Sequence, residues 1–347
     1  MADSPIFVVG ASRSGTNFVR ALLNAHSEIW MSAETHYFDD LRQRLGSGPL
    51  GDRQRAVCER YFLSLAHLAY GRGGDPSRAR IDAAELRELA ARRGGTADAY
   101  FEAFCELRAR SKGKKRWAEK TPRHVFRIAE LLEAFPDAKI VCLVRDPRAV
   151  VASYRDWHRG GARPGLEPEN EAGLAAERER SKRSYHPILT SLLWRGVIRA
   201  EYDALDRFGG ERIRLERFED LVAEPESSVR ALCAWLGIAF EPQMLQIPVV
   251  NSSYSGGSGE EAVDRWRVKL PPRELAAVER CCGKLMEELG YAKESPRMSL
   301  PAYVVSWLSV PYVTARAALA HRRRLGNTVE YVRRRATLAF SRGSLPR

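Results

Sequence analysis

Five side chains stand where a strongly anionic, reactive group could be held and attacked: Arg13, Glu34, Lys120, Arg145 and Ser153. Arg13 lies in a short loop bounded by Gly10 and Gly15, between the apolar run Ile6-Phe7-Val8-Val9 and a segment with apolar residues at helical spacing, Phe18 to Leu23. This order predicts a strand, a phosphate-cradling loop and a helix N-terminus, where backbone N–H groups and the helix dipole favour an anion. A nucleoside-triphosphate loop reads G-x-x-x-x-G-K-[ST], with Lys on the phosphates and the hydroxyl on magnesium. Here the Gly spacing is kept, but Thr16 takes the Lys position and Asn17 the metal-ligand position, while the cation has moved inside the loop as Arg13. Ser14, Gly15, Thr16 and Asn17 are therefore candidate anion binders for a group transfer that uses no metal.

A second anion site is expected further along. Residues 138–144, Ala-Lys-Ile-Val-Cys-Leu-Val, have the apolar, β-branched character of a buried parallel strand. Arg145 and Asp146 follow, and Pro147 opens a helix that should run to about His158 and carry Ser153. An arginine fork with a hydroxyl donor suits a terminal phosphate dianion. Ser27–Ala33 is a plausible second strand, with Glu34-Thr35-His36 just past its end. In parallel α/β sheets ligands collect at the carboxyl ends of strands, so Glu34 is expected on the same edge as the loop. A carboxylate there can take the proton of an attacking hydroxyl or amine, with His36 the second candidate base. Trp117-Ala118-Glu119-Lys120-Thr121-Pro122 supplies a lysine that can stabilise developing negative charge. Glu119 either pairs with it or faces solvent.

Arg13-Ser14-Gly15-Thr16 resembles the 5′-phosphosulfate loop of sulfotransferases that use 3′-phosphoadenosine 5′-phosphosulfate (PAPS), in the branch holding tyrosylprotein sulfotransferases and bacterial carbohydrate sulfotransferases. The resemblance extends over roughly residues 5–292. It implies an α/β, three-layer P-loop NTPase-like fold with a central parallel sheet, helical insertions and a helical C-terminal tail. Arg13 and Ser14 to Asn17 would bind the 5′-phosphosulfate, and Arg145 and Ser153 the 3′-phosphate. Glu34, 21 residues after Arg13, matches the family's catalytic base, and Lys120 the family's lysine beside the transferred sulfonate. Arg214 to Leu221 resembles the family's strand followed by Glu-Asp-Leu. Asn251 to Tyr254, the Gly/Ser stretch to Gly259 and Arg265-Trp266-Arg267 match a lid, with Arg265 and Arg267 as further phosphate contacts. Two positions depart from the pattern: Trp157, flanked by Arg155 and Arg159, stands where the family often has a third basic contact, and Asp264 aligns with a lid serine. The implied reaction is transfer of a sulfonate from PAPS to a hydroxyl or amine of an acceptor, with a glycan or lipid preferred, and no metal.

Length and charge set the remaining bounds. At 347 residues the chain can bury a large core. Its net charge is +12, of which about +8 falls in residues 298–347 (nine Arg, one Glu), so the excess describes the tail and not a nucleic-acid surface. Six cysteines without a C-x-x-C pair, and a start that runs directly into the first strand, point to reduced thiols and a cytoplasmic setting. A catalytic unit over 1–295 is expected, with a helical acceptor-side insertion at 40–114. Residues 159–183, dense in Gly, Pro, Glu and Arg, read as a mobile loop or a solvated linker. The 296–347 tail is basic and partly apolar; it either lies on an anionic membrane or packs on the body. Two competing functions fit less of the pattern: a magnesium-dependent small-molecule kinase, and a catalytically silent membrane-associated binding protein.

Overall fold

The computed structural model describes residues 4–67, 75–157, 168–247, 259–294 and 298–325. Five parallel strands, β1 (Ile6–Gly10), β2 (Ile29–Met31), β3 (Arg116–Lys120), β4 (Lys139–Val144) and β5 (Ile213–Arg217), form one sheet in the order β2-β3-β1-β4-β5. This is the α/β architecture with a central parallel sheet that the sequence implies. The second strand is shorter than the expected 27–33.

Alternation along β1 divides the core. Phe7 and Val9 face one layer, with Ile140 and Cys142 of β4 and the helices Asp52–His67, Ala97–Arg110, Pro187–Phe208 and Pro272–Glu288. Ile6 and Val8 face the other, with Val141 and Leu143, α1 (Thr16–Ala25) and the Pro225–Leu236 helix. Both faces of a parallel sheet are thereby covered, which is why its strands read as continuous apolar runs. Phe7 is the centre of an aromatic cluster with Phe38, Phe101, Trp117 and Phe135, at ring-centroid distances of 5.7 to 6.5 Å.

The described residues of 40–114 (40–67 and 75–114) are mostly helical, as expected, with the Ala83–Arg92 helix capped by Asp82 (Oδ1 accepts from Glu85 N, 2.8 Å). The 159–183 reading needs correction. Residues 158–167 lie outside the described residues, but Pro168–Ser184 is a helix. Its mixed charges fall at helical spacing, pairing Glu177 with Arg180 and Glu179 with Arg183, and Leu174 is buried. Alternating charge at i,i+3 and i,i+4 supports a helix, so charge density was a misleading loop signal.

Beneath the carboxyl end of β1, Glu201 of the Pro187–Phe208 helix is fully buried, and neither carboxyl oxygen has a partner among the described residues. A Cβ on Gly10 (φ 141°) would stand 3.2 Å from Glu201 Oε1 and 2.8 Å from Leu143 O, so glycine is required there. Burial pushes the Glu201 carboxyl well above its ordinary value. The folded state therefore keeps a proton that the unfolded chain releases above about pH 4.3. The stability this group contributes is complete below that pH and is lost as the pH rises towards the folded value. Relative to Glu201→Gln, the wild-type melting temperature should fall progressively between pH 4.5 and pH 8. A difference between the two proteins that stays flat across that range would show that Glu201 is not buried as a neutral acid.

Candidate active site

Because every strand is parallel, the loops after β1 to β5 leave from one edge. Pairing of β1 with β4 runs to Gly10 opposite Leu143, and pairing of β1 with β3 places Val8 opposite Lys120. Chain order switches sides at β1, the position at which open α/β sheets bind ligands.

The β1 loop turns through Arg13 (φ 76°) and Gly15 (φ 101°). Ser14 locks it, donating through both its N (3.0 Å) and its Oγ (2.6 Å) to Ala11 O. A Cβ on Gly15 would stand 2.2 Å from Phe218 Cδ2, so no larger residue fits without displacing that ring. Gly15 caps α1. The first N–H groups of a helix have no intrahelical acceptor, and those of Thr16 and Asn17 open this one.

The structure brings Arg13 and Ser153 together across 140 residues: Arg13 Nε donates to Ser153 Oγ at 3.0 Å. The guanidinium also lies 5.6 Å from the Trp157 ring, which gives the departure at Trp157 a role as a cation–π platform. Arg155 points elsewhere, donating to Lys269 O (2.6 Å) and lying 3.6 Å from Glu274; Arg159 lies outside the described residues.

Arg145 sits at the end of β4 as anticipated, but its surroundings could not be read from the sequence. It is buried, its Nη1 donates to Arg13 O (2.9 Å), its Nη2 donates to Ala262 O (2.7 Å), and its Nε has no partner among the described residues. It stacks 4.2 Å from the Phe218 ring. Burial pulls this guanidinium below its ordinary value, opposed by Glu219 and Asp146. Next to it, Asp146 caps the Pro147–Asp156 helix and takes a fork from Arg148, which also donates to Glu279 (2.9 Å) and lies 3.9 Å from the Trp266 ring. Sequence reasoning missed this junction; the signal was the charge reversal within Arg145-Asp146-Pro147-Arg148.

Glu34 and Lys120 meet: Lys120 Nζ donates to Glu34 Oε1 at 2.7 Å, and His36 Nε2 is 3.4 Å from Glu34 Oε2. Lys120 is almost wholly buried, whereas Glu34 keeps about a third of its side chain exposed (35%). The expectation for Glu119 is corrected. It neither pairs with Lys120 nor reaches solvent, because successive residues of β3 point to opposite faces. It is fully buried and accepts from Thr35 N (3.2 Å), Thr35 Oγ1 (2.9 Å) and Thr121 Oγ1, with His124 Nδ1 at 3.2 Å. Thr121 Oγ1 in turn accepts from Thr35 N at 3.0 Å. One carboxylate thus clamps the residue between Glu34 and His36.

The lid region reaches the site through Ala262 O and the Trp266 ring, while its two arginines also meet acids of their own neighbourhood. Arg265 is 3.6 Å from Glu261, and Arg267 pairs with Asp264 (3.0 Å) and Glu294. Asn251 to Ser258 lie outside the described residues. The six cysteines are all buried.

Removing the clamp should be costly, since breaking a buried charged network by deleting one partner typically loses about 3–5 kcal/mol. Glu119→Ala should therefore lower the unfolding free energy in urea by about that amount; a loss below about 1 kcal/mol would show that Thr35 is held by other contacts.

The model of the sulfotransferase family matches residues 5–242. Carbohydrate sulfotransferase 5 of Mus musculus is 27% identical over 82% of this chain and 80% of its own length. Its Homo sapiens counterpart is 32% identical over 44% of this chain and 40% of its own length. The omega-hydroxy-beta-dihydromenaquinone-9 sulfotransferase of Mycobacterium tuberculosis is 28% identical over 51% of this chain and 42% of its own length. For the human and mycobacterial relatives, then, the match spans less than half of the relative. Among solved structures, the sulfotransferase domain of the Synechococcus PCC 7002 olefin synthase shares the fold, with a TM-score of 0.50 and 19% identity over 83% of this chain and 94% of that domain. The chain belongs to the sulfotransferase family, whose enzymes transfer a sulfonate group.

Proposed function

We propose that this enzyme transfers a sulfonate from PAPS to a hydroxyl of a glycan or lipid acceptor, without a metal, and with Glu34 as the base. The observation that carries the reading is the Lys120–Glu34 contact at 2.7 Å, on the sheet edge that also bears the β1 loop and Arg145. The relatives' names, carbohydrate sulfotransferase and menaquinone-derivative sulfotransferase, support acceptors of those two classes.

The residues present fit a doubly phosphorylated, anionic donor. Arg13, Lys120 and the α1 N-terminus offer only donors, and the Arg145 Nε is buried without a partner among the described residues. Arg13 to Asn17 would hold the 5′-phosphosulfate; Arg145 and Ser153 would hold the 3′-phosphate, with Arg265 and Arg267 as outer contacts. When bound, PAPS supplies an activated sulfonate with a phosphate leaving group. Glu34 takes the proton from the acceptor hydroxyl as its oxygen attacks. Lys120, fixed by Glu34 on one side, and Arg13 on the other stabilise the negative charge that moves to the leaving phosphate. His36 orients the carboxylate through its second oxygen. Asn17, in place of a magnesium-binding hydroxyl, is consistent with charge neutralisation by side chains alone.

Two measurements test this. Arg145→Ala should weaken binding of 3′-phosphoadenosine 5′-phosphate by about 10- to 100-fold in calorimetry, the value of one charge-assisted contact; unchanged affinity would remove Arg145 from the cofactor site. In a labelled-sulfate transfer assay across glycan and lipid acceptors, Glu34→Gln should lower kcat by about 10²-fold or more while leaving nucleotide binding intact. Retained turnover in Glu34→Gln together with its loss in His36→Gln would move the base to His36.

A further inference from the structure

The described tail forms two helices, Leu300–Leu308 and Val310–Leu325, with unlike faces. One face is docked. Val313, Ala317 and Ala318 are buried, Arg316 Nε donates to Arg183 O (2.8 Å), the Arg280 guanidinium lies 4.9 Å from the Tyr303 ring, and His186 Nε2 is 2.9 Å from Ser309 Oγ. These contacts hold one face of the described tail against the body. Its other face remains, and that face is apolar. Leu300, Val304, Val305, Leu308, Tyr312 and Leu319 are 49 to 72% exposed. Of all exposed residues from 299 to 319, only Ser299 and Ser309 are polar. An ordinary solvated helix of this same protein, Ala83–Arg92, exposes Glu85, Arg87, Glu88 and Arg92 instead. A contiguous apolar face of this kind marks a docking surface.

Charge selects the occupant. Residues 298–325 contain no Asp or Glu, and the second helix runs into Arg322-Arg323-Arg324. The last fifty residues carry nine arginines and one glutamate. A second copy of the chain would bring together two tail sequences of the same net positive charge, whereas an anionic lipid surface supplies both an acyl layer and negative phosphates. No helix among the described residues is long and apolar enough to cross a membrane.

We propose that the exposed face of the Leu300–Leu308 and Val310–Leu325 helices lies flat on an anionic bilayer, its Leu, Val and Tyr side chains entering the headgroup boundary while the net positive charge of the tail sequence draws it to lipid phosphates. Docking holds the enzyme body at the surface in one orientation, because the opposite face is fixed to the helices Pro168–Ser184 and Pro272–Glu288. The proposal goes beyond the transfer chemistry and is measured without nucleotide or acceptor, so its failure and a failure of the sulfotransfer reading are distinguishable.

The test is co-sedimentation of the full chain with vesicles of phosphatidylcholine, with and without about one-third phosphatidylglycerol. The chain should pellet with the anionic vesicles at least tenfold more than with the neutral ones, and raising salt to about 0.5 M should release it. Val305→Asp combined with Leu308→Asp should lower binding at least tenfold with the melting temperature unchanged; if that variant melts early, Val305→Ser with Leu308→Ser should lower binding in the same direction. Failure to pellet with anionic vesicles, equal binding to neutral vesicles, or a solution dimer that the Asp variant splits with no vesicle binding would each overturn the proposal.

Discussion

The pairing of β1 with β4, carried in register to Gly10 opposite Leu143, is the constraint on which the site depends. It forces two loops distant in sequence to leave the sheet side by side. Arg145 then crosses from the end of β4 to the carbonyl of Arg13 at 2.9 Å, and Arg13 crosses back to Ser153 at 3.0 Å. Each arginine thereby ties the other's segment. The backbone at both crossings tolerates no bulk, since Cβ atoms at Gly10 and Gly15 would strike Leu143 and Phe218. Trp194 Nε1, donating to Arg145 O at 2.9 Å, anchors the same point from beneath the sheet.

A second arrangement is layered on the first. Lys120 and Glu34 form the charged pair at the sheet edge, and behind them Glu119, Thr121, Thr35 and His124 form a buried network. Adjacent residues of β3 serve the two layers because side chains alternate along a strand. Of the outer pair, Lys120 is buried and Glu34 alone keeps solvent access, as the proposed proton transfer to Glu34 requires. The inner network excludes water and fixes the backbone that carries the outer one. Preorganised charge in a partly dry site is the usual main source of catalytic stabilisation.

The strand, loop and helix around Gly10 and Gly15, the strand before Arg145, and the helix opened by Pro147 were all legible, because apolar periodicity, glycine and proline act locally. So was the convergence of Arg13, Glu34, Lys120 and Arg145 on one edge, since parallel topology follows from alternating strands and helices. What was not legible depends on partners far along the chain. The burial of Glu119 depends on Thr35 and His124. The main-chain acceptors of Arg145 lie 132 and 117 residues away. The solitary carboxyl of Glu201 and the two-faced tail belong to packing, which composition does not reveal. The Pro168–Ser184 helix was missed for a different reason: ion pairs at i,i+3 and i,i+4 look in sequence like a solvated charge run.

The central claim is that the ends of β1 and β4 together cup one doubly phosphorylated nucleotide. A crystal structure of the protein with 3′-phosphoadenosine 5′-phosphate, prepared without divalent ions, tests it most directly. The account requires the 5′-phosphate against the Gly15–Asn17 amides and the 3′-phosphate within hydrogen-bond reach of Arg145 or Ser153. Density for the nucleotide at any other place, or its appearance there only when magnesium is added, would contradict it.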